Sequence, residues 1–180
     1  MEEEEAATAL FSWAPMVVPG LLQTRAYAQV LLRCEPGTRP EQVNALVESR
    51  LARQAILTRT DPPIFRVLLD EGVLSRPIGS TEVMREQLER LSEAIETPHI
   101  ALQIVPLGAS AGLNGAIAIA QSSVRRTQAV YFETAGEPVV TSNSSVVTQA
   151  TMKLDAIRAE ALPRTASAEL IRKWLVEKWT

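Results

Sequence analysis

Ile64-Phe65-Arg66-Val67-Leu68-Leu69-Asp70 is a short apolar run with Asp61-Pro62-Pro63 before it and a loop holding Pro77 and Gly79 after it. Its length and flanks read as a strand. Downstream, Ser80 is placed to cap a helix with Glu82 and Val83 in its first turn, and the apolar stripe Met84, Gln87, Leu88, Leu91, Ile95 recurs at helical spacing up to Pro98. Ile100-Ala101-Leu102-Gln103-Ile104-Val105 then reads as a central strand. After a loop from Gly108 to Gly115, Ala116-Ile117-Ala118-Ile119-Ala120 alternates between large side chains on one face and methyl groups on the other. Ala129 to Glu133 and Pro138 to Thr141 suggest two more strands joined at Gly136. Ser142-Asn143-Ser144-Ser145 caps a helix to about Leu162, Pro163 breaks it, and Thr165 starts a last helix carrying Leu170, Ile171, Trp174 and Leu175.

Upstream, Glu41 opens a long helix to about Thr58, with the stripe Val43, Leu46, Val47, Arg50, Gln54, Leu57. Thr24 caps a helix to about Arg33, and residues 2–12 read as a short acidic helix ending before Trp13 and Pro15. The expected fold class is α/β (α+β). One domain spans 1–180, with N-terminal helices followed by a small mixed β-sheet with interleaved and C-terminal helices.

The bulk composition narrows the function classes. The chain has 180 residues, net charge −3 and 46% hydrophobic residues, which suits one globular core. It lacks the basic footprint of a nucleic-acid binder. One Cys (Cys34) excludes an internal disulfide, and one Cys with one His (His99) argues against a zinc site. Met1-Glu2-Glu3-Glu4-Glu5 is acidic where a secretory signal needs positive charge, and no apolar run is long enough to span a bilayer. The expectation is a soluble, cytoplasmic protein without cofactor or metal.

Polar residues placed on apolar stripes are the sharpest site signal. Arg50, Gln54 and Gln87 fall on inward faces, and a buried polar group is costly unless paired. These segments and Glu71 are expected to meet, with Arg50 and Glu71 as an ion pair and Gln54 or Gln87 as a further partner. The resulting group is either a docking pin for the long helix or the polar floor of a pocket. Ala116, Ala118 and Ala120 share one strand face, which either lets a helix approach closely or leaves a cavity. Tyr131 and Glu133 share another face and, with Glu71, are weak candidates for proton transfer. His99 reads as a surface loop residue, since no nucleophile-elbow pattern accompanies it. No glycine spacing suits a phosphate cradle.

Trp13, Val18-Pro19-Gly20-Leu21-Leu22-Gln23-Thr24, Tyr27-Ala28, Arg50, Arg53-Gln54, Leu57, Asp70-Glu71, Val73-Leu74, Gly79, Met84, Gln87-Leu88, Leu91, Gln103-Ile104-Val105-Pro106 and Tyr131, in this order, resemble the DUF5753 family over nearly the whole chain. That family is usually the C-terminal domain of actinobacterial helix-turn-helix regulators of the XRE class. The resemblance implies a domain that senses a ligand or partner and controls an attached DNA-binding domain. The helix-turn-helix itself is lacking, as in a free-standing member or a truncated regulator. The family's usual aromatic in the strand at Ala116 to Ala120 is replaced by alanine, which would enlarge any space lined there. Acidic residues usual in the family are replaced by Ser and Thr between Val140 and Val146. Two functions follow. One is a free-standing module that binds a small-molecule ligand or a regulatory protein partner, with Ala116, Ala118, Ala120, Arg50, Gln54 and Gln87 as ligand-binding residues. The other is an enzyme of secondary metabolism, a cyclase or isomerase working in an apolar pocket. Neither involves direct nucleic-acid or membrane binding, and a homodimer stays open.

Overall fold

The computed structural model describes residues 6–109, 111–113, 115–123, 127–132 and 139–180. Six strands form one sheet: β1 (Ala9–Ala14), β2 (Ile64–Asp70), β3 (Ile100–Val105), β4 (Ile117–Ser122), β5 (Thr127–Phe132) and β6 (Val139–Thr141), in the order β3-β2-β1-β4-β5-β6. β1, β2 and β3 run parallel, whereas β4 is antiparallel to β1, β5 to β4 and β6 to β5. Parallel neighbours need crossovers. α1 (Arg25–Arg33) and α2 (Pro40–Arg53) connect β1 to β2, and α3 (Glu71–Ser75) and α4 (Thr81–Glu96) connect β2 to β3. α5 (Ser144–Glu160) and α6 (Arg164–Lys178) close the chain. The expected single α+β architecture with a mixed sheet is the one formed.

Strand alternation sorts the core into two layers. Leu10, Phe65, Val67, Leu69, Leu102 and Ile104 face one side and pack with Tyr27 of α1, Met84, Leu88, Leu91 and Ile95 of α4, and Ile171 of α6. Trp13, Leu68, Val105, Ile117, Ile119 and Val130 face the other side, under Val147, Ala150, Leu154 and Ile157 of α5. α2 forms an outer layer, laying Val43 and Val47 against Leu32 of α1. Helix starts follow side-chain chemistry: the Thr24 hydroxyl accepts from Tyr27 N, that of Ser80 from Val83 N, and the Asn143 carboxamide from Ser145 N and Val146 N.

Five expectations are corrected. The N-terminal segment is not a helix where it is described: residues 9–14 form β1, the strand joining the parallel and antiparallel halves of the sheet. Leu10 and Trp13 go to opposite faces of a two-sided core, so burial overrides the helix-like reading of the acidic start. β3 is an edge strand rather than a central one. It tolerates apolar composition because Leu162 N donates to Ile104 O, and Ile104 N donates to Ser167 Oγ, which covers the open edge. Residues 71–75 form a helical turn capped by Asp70 rather than a loop. The last helix starts after Pro163, so Thr165 lies within its first turn. The long helix ends at Arg53 and continues as a 3-10 turn, Gln54–Leu57. The expected turn at Gly136 lies outside the described residues.

Candidate functional site

The segment 18–24, built around the short 3-10 turn Gly20–Leu22, needs partners for backbone groups that this turn does not fully satisfy. Long side chains from two helices supply them. Arg50 Nη1 donates to Gln23 Oε1 at 2.8 Å, and Gln23 Nε2 donates to Val18 O at 2.7 Å. Gln54 Nε2 donates to Gly20 O and to Gln23 O, both at 2.8 Å. Gln87, fully buried, accepts from Thr24 N at 2.8 Å and donates to Leu22 O at 2.9 Å. Tyr27 Oη accepts from Val18 N at 3.3 Å, and burial raises its pKa against the opposing pull of that hydrogen bond and of Arg76. Arg50, Gln54 and Gln87 are thus brought together as expected, Gln54 and Gln87 on the chain's own backbone and Arg50 on the Gln23 carboxamide. Their amide and guanidinium groups clamp the entry to α1.

The expected Arg50–Glu71 pair is not formed. Glu71 opens α3, which aims its carboxylate toward the β3–β4 loop, where Oε2 accepts from Leu107 N at 3.1 Å. Arg50 instead lies against Gly20, whose added Cβ would sit 3.7 Å from Arg50 Cδ. The same loop is held at Gly112, where Trp13 Nε1 donates to the carbonyl oxygen at 2.9 Å.

Ala118 and Ala120 stand on the sheet face turned away from α5. Ala120 pairs with Ala129 and packs beside the main core, whereas Ala118 pairs with Tyr131, which is 41% exposed. Ala116 precedes the strand and is half-buried. The three proton-transfer candidates do not form one centre. Tyr131 on β5 is three strand spacings from β2, roughly 14 Å, and Glu71 follows the end of β2. Glu133 lies outside the described residues. The His99 carbonyl accepts from Phe65 N, and its buried Nε2 has no hydrogen-bond partner, so no Ser–His–Asp relay is formed through that nitrogen.

A groove of about 530 Å³ opens elsewhere, between the β4–β5 hairpin and the start of α5. The hairpin contributes Gln121, Ser122, Ser123, Thr127 and Gln128. Ser142 and the first turns of α5, through Ser144, Val147 and Thr148, close the other side. Its volume lies within the roughly 300–1,000 Å³ range of small-ligand sites. Gln121 and Gln128 are register partners on the face that carries Ile119 and Val130, so their carboxamides stand side by side under α5. Neither carboxamide makes a hydrogen bond among the described residues. Thr148 Oγ1 donates to Ser144 O at 2.8 Å, leaving its oxygen able to accept. The described lining holds amides, hydroxyls and one valine, and thus no group that exchanges a proton near neutral pH.

Sequence reasoning missed this groove. Its signal was present as two uncharged polar clusters, Gln121-Ser122-Ser123 and Ser142-Asn143-Ser144, the second read only as a cap. Only the strand pairing puts them together. Among the described residues, no group of three His, Cys, Asp or Glu side chains could hold a metal ion, and no helix is long and apolar enough to cross a membrane. The model of a family described as a domain of unknown function, DUF5753, matches residues 1–173. No curated protein and no solved structure matches the chain.

Proposed function

The chain belongs to the DUF5753 family, and from that premise we propose that it is a binding module whose ligand site is the groove between the β4–β5 hairpin and α5. The observation that carries this reading is the pair of adjacent carboxamides, Gln121 and Gln128, without partners among the described residues and facing a groove of small-ligand size. Amides and hydroxyls recognise a ligand by hydrogen bonding. Proton abstraction or donation at neutral pH needs a titratable group, and the described lining offers none. This favours recognition over a cyclase or isomerase role. The resemblance to regulator domains supports a signalling use of such binding, with transcription control exerted through a partner.

The test is a ligand-observed and ¹⁵N-detected NMR screen of the chain with a small-fragment library. Hits are expected to shift the backbone amides of residues 121–123, 127–128 and 144–148. Hits that shift only the alanine face of β4, around Ala118 and Tyr131, would move the site to the opposite side of the sheet and revive the apolar-pocket reading.

A further inference from the structure

We infer that the end of α6 latches the short helix α3 and, through it, steadies the β3–β4 loop. This inference does not rest on the groove. A helix of five residues is not stable alone, because few hydrogen bonds repay the ordering of its turn. α3 is held from outside, at both ends. At its carboxyl end, Leu74 O accepts from Trp179 Nε1 at 2.8 Å, and Ser75 O accepts from Lys178 Nζ at 2.7 Å. The last carbonyls of a helix lack partners within it, and a cation there complements the helix dipole. The Lys178 ammonium lies 5.6 Å from the Trp174 ring centroid and 5.0 Å from that of Trp179, so two aromatic rings help to aim it. Trp179 is buried in the main core together with Val73 and Leu74, which anchors the latch. At the other end of α3, Glu71 Oε2 accepts from Leu107 N at 3.1 Å, and a Cβ on Gly72 would sit 3.6 Å from Leu107 Cδ2. One helical turn thus stands between the last residues of α6 and the first residues of the loop. The Leu107 side chain is exposed, so its own burial does little to fix that amide. The latch sets how often α3 opens locally and, with it, how firmly Glu71 holds Leu107. A ligand or partner that engages Lys178 therefore acts on the β3–β4 loop without touching it.

The test is amide hydrogen exchange followed by NMR on the ¹⁵N-labelled full chain, in the parent, Lys178→Met, Trp179→Phe, Glu71→Ala and the double variant Lys178→Met/Glu71→Ala. Lys178→Met keeps the apolar stem and changes an exposed side chain, so it carries the test even if Trp179→Phe does not fold. Two amides report: Arg76 N, which donates to Gly72 O inside α3, and Leu107 N, which donates to Glu71. In Lys178→Met both are expected to exchange about 3–10-fold faster, as for one lost hydrogen bond, with the β4–β5 ladder unchanged. Trp179→Phe, which removes the buried N–H donor, is expected to speed the same two amides. In the Glu71→Ala background, Lys178→Met should still speed Arg76 and no longer speed Leu107. An unchanged Arg76 would show that Lys178 does not hold α3. A Leu107 amide that is unchanged in Lys178→Met, or that is still accelerated without Glu71, would overturn the coupling to the loop.

Discussion

Gln87 shows how one side chain holds a segment whose only regular structure is the short 3-10 turn Gly20–Leu22. It is fully buried, and its amide serves Thr24 N and Leu22 O at once. Gln87→Leu keeps the volume but leaves both backbone groups without that partner, a loss of about 1–3 kcal/mol for each buried group. Urea unfolding should show the midpoint fall with the m-value unchanged. A variant as stable as the parent would mean that water replaces the amide. Tyr27 ties the same segment to pH. Burial raises its pKa in the folded state, so the unfolded chain gives up this proton first as pH rises. The stabilisation is fully present below the ordinary tyrosine value of about 10 and is lost as pH climbs from there through the folded-state value. Thermal unfolding between about pH 8 and 11 should show the parent losing Tm more steeply than Tyr27→Phe above about pH 10. Parallel curves would remove Tyr27 as the source. On the exposed surface, Glu48 is held below the usual carboxylate range by its hydrogen bond to Arg25, and Glu82 by the Ser80 hydroxyl. Solvent screening leaves such groups little weight in stability.

At the scale of elements, β4 separates two environments residue by residue. Ile119 is 4% exposed under α5, whereas Ala118, one position away, looks out beside Tyr131. Ile119→Ala should cost about 2–5 kcal/mol. Ala118→Phe should stay folded and cost less, because an added ring can extend along an incompletely covered face. Equal losses in urea unfolding would show that something covers the alanine face after all. The β3–β4 loop depends on a close approach of a different kind. A Cβ on Gly112 would fall 2.3 Å from Trp13 Cζ2, and Trp13 is 2% exposed. Gly112→Ala must therefore push the loop off the indole, at about 1–3 kcal/mol. A change in tryptophan emission should accompany that loss, and its absence would show that the loop yields without disturbing the ring.

For the whole molecule, α1, α4 and α6 cover one face of the β3-β2-β1 half and α5 covers β4 and β5 on the other face, while Tyr131 on the far face of β5 and Val139 and Val140 on β6 are exposed. Net charge remains −3, spread without a clustered cationic face in the sequence. Phosphate neutralisation by Lys and Arg dominates duplex binding. The chain is accordingly expected not to retard duplex DNA in a gel-shift assay. Retardation at low micromolar protein that disappears with added salt would contradict this.

Local chemistry alone carried the reading of α1, α4, β2 and the start of α5. Their caps, breakers and periodicities sit within a few residues of one another, and burial follows the same stripes: Met84, Gln87, Leu88, Leu91 and Ile95 are all inside. The convergence of Arg50, Gln54 and Gln87 was also legible, because polar groups on apolar stripes must find partners. Their partners were not legible. Arg50 faces Gln23 and Glu71 faces Leu107 because α3 begins at Glu71 and turns its side chain away, an orientation set by a helix start that follows β2 directly. β1 was missed for a related reason. Ala9 to Ala14 is a strand because it is paired on both sides, with β2 and with β4, and those hydrogen bonds come from residues more than fifty positions away. The groove likewise exists only through register, which sets Gln121 beside Gln128 and brings α5 over them. Short-range capping and periodicity are written in neighbouring residues, whereas strand partners and the direction of a buried polar group are decided by long-range pairing, which only the folded chain supplies.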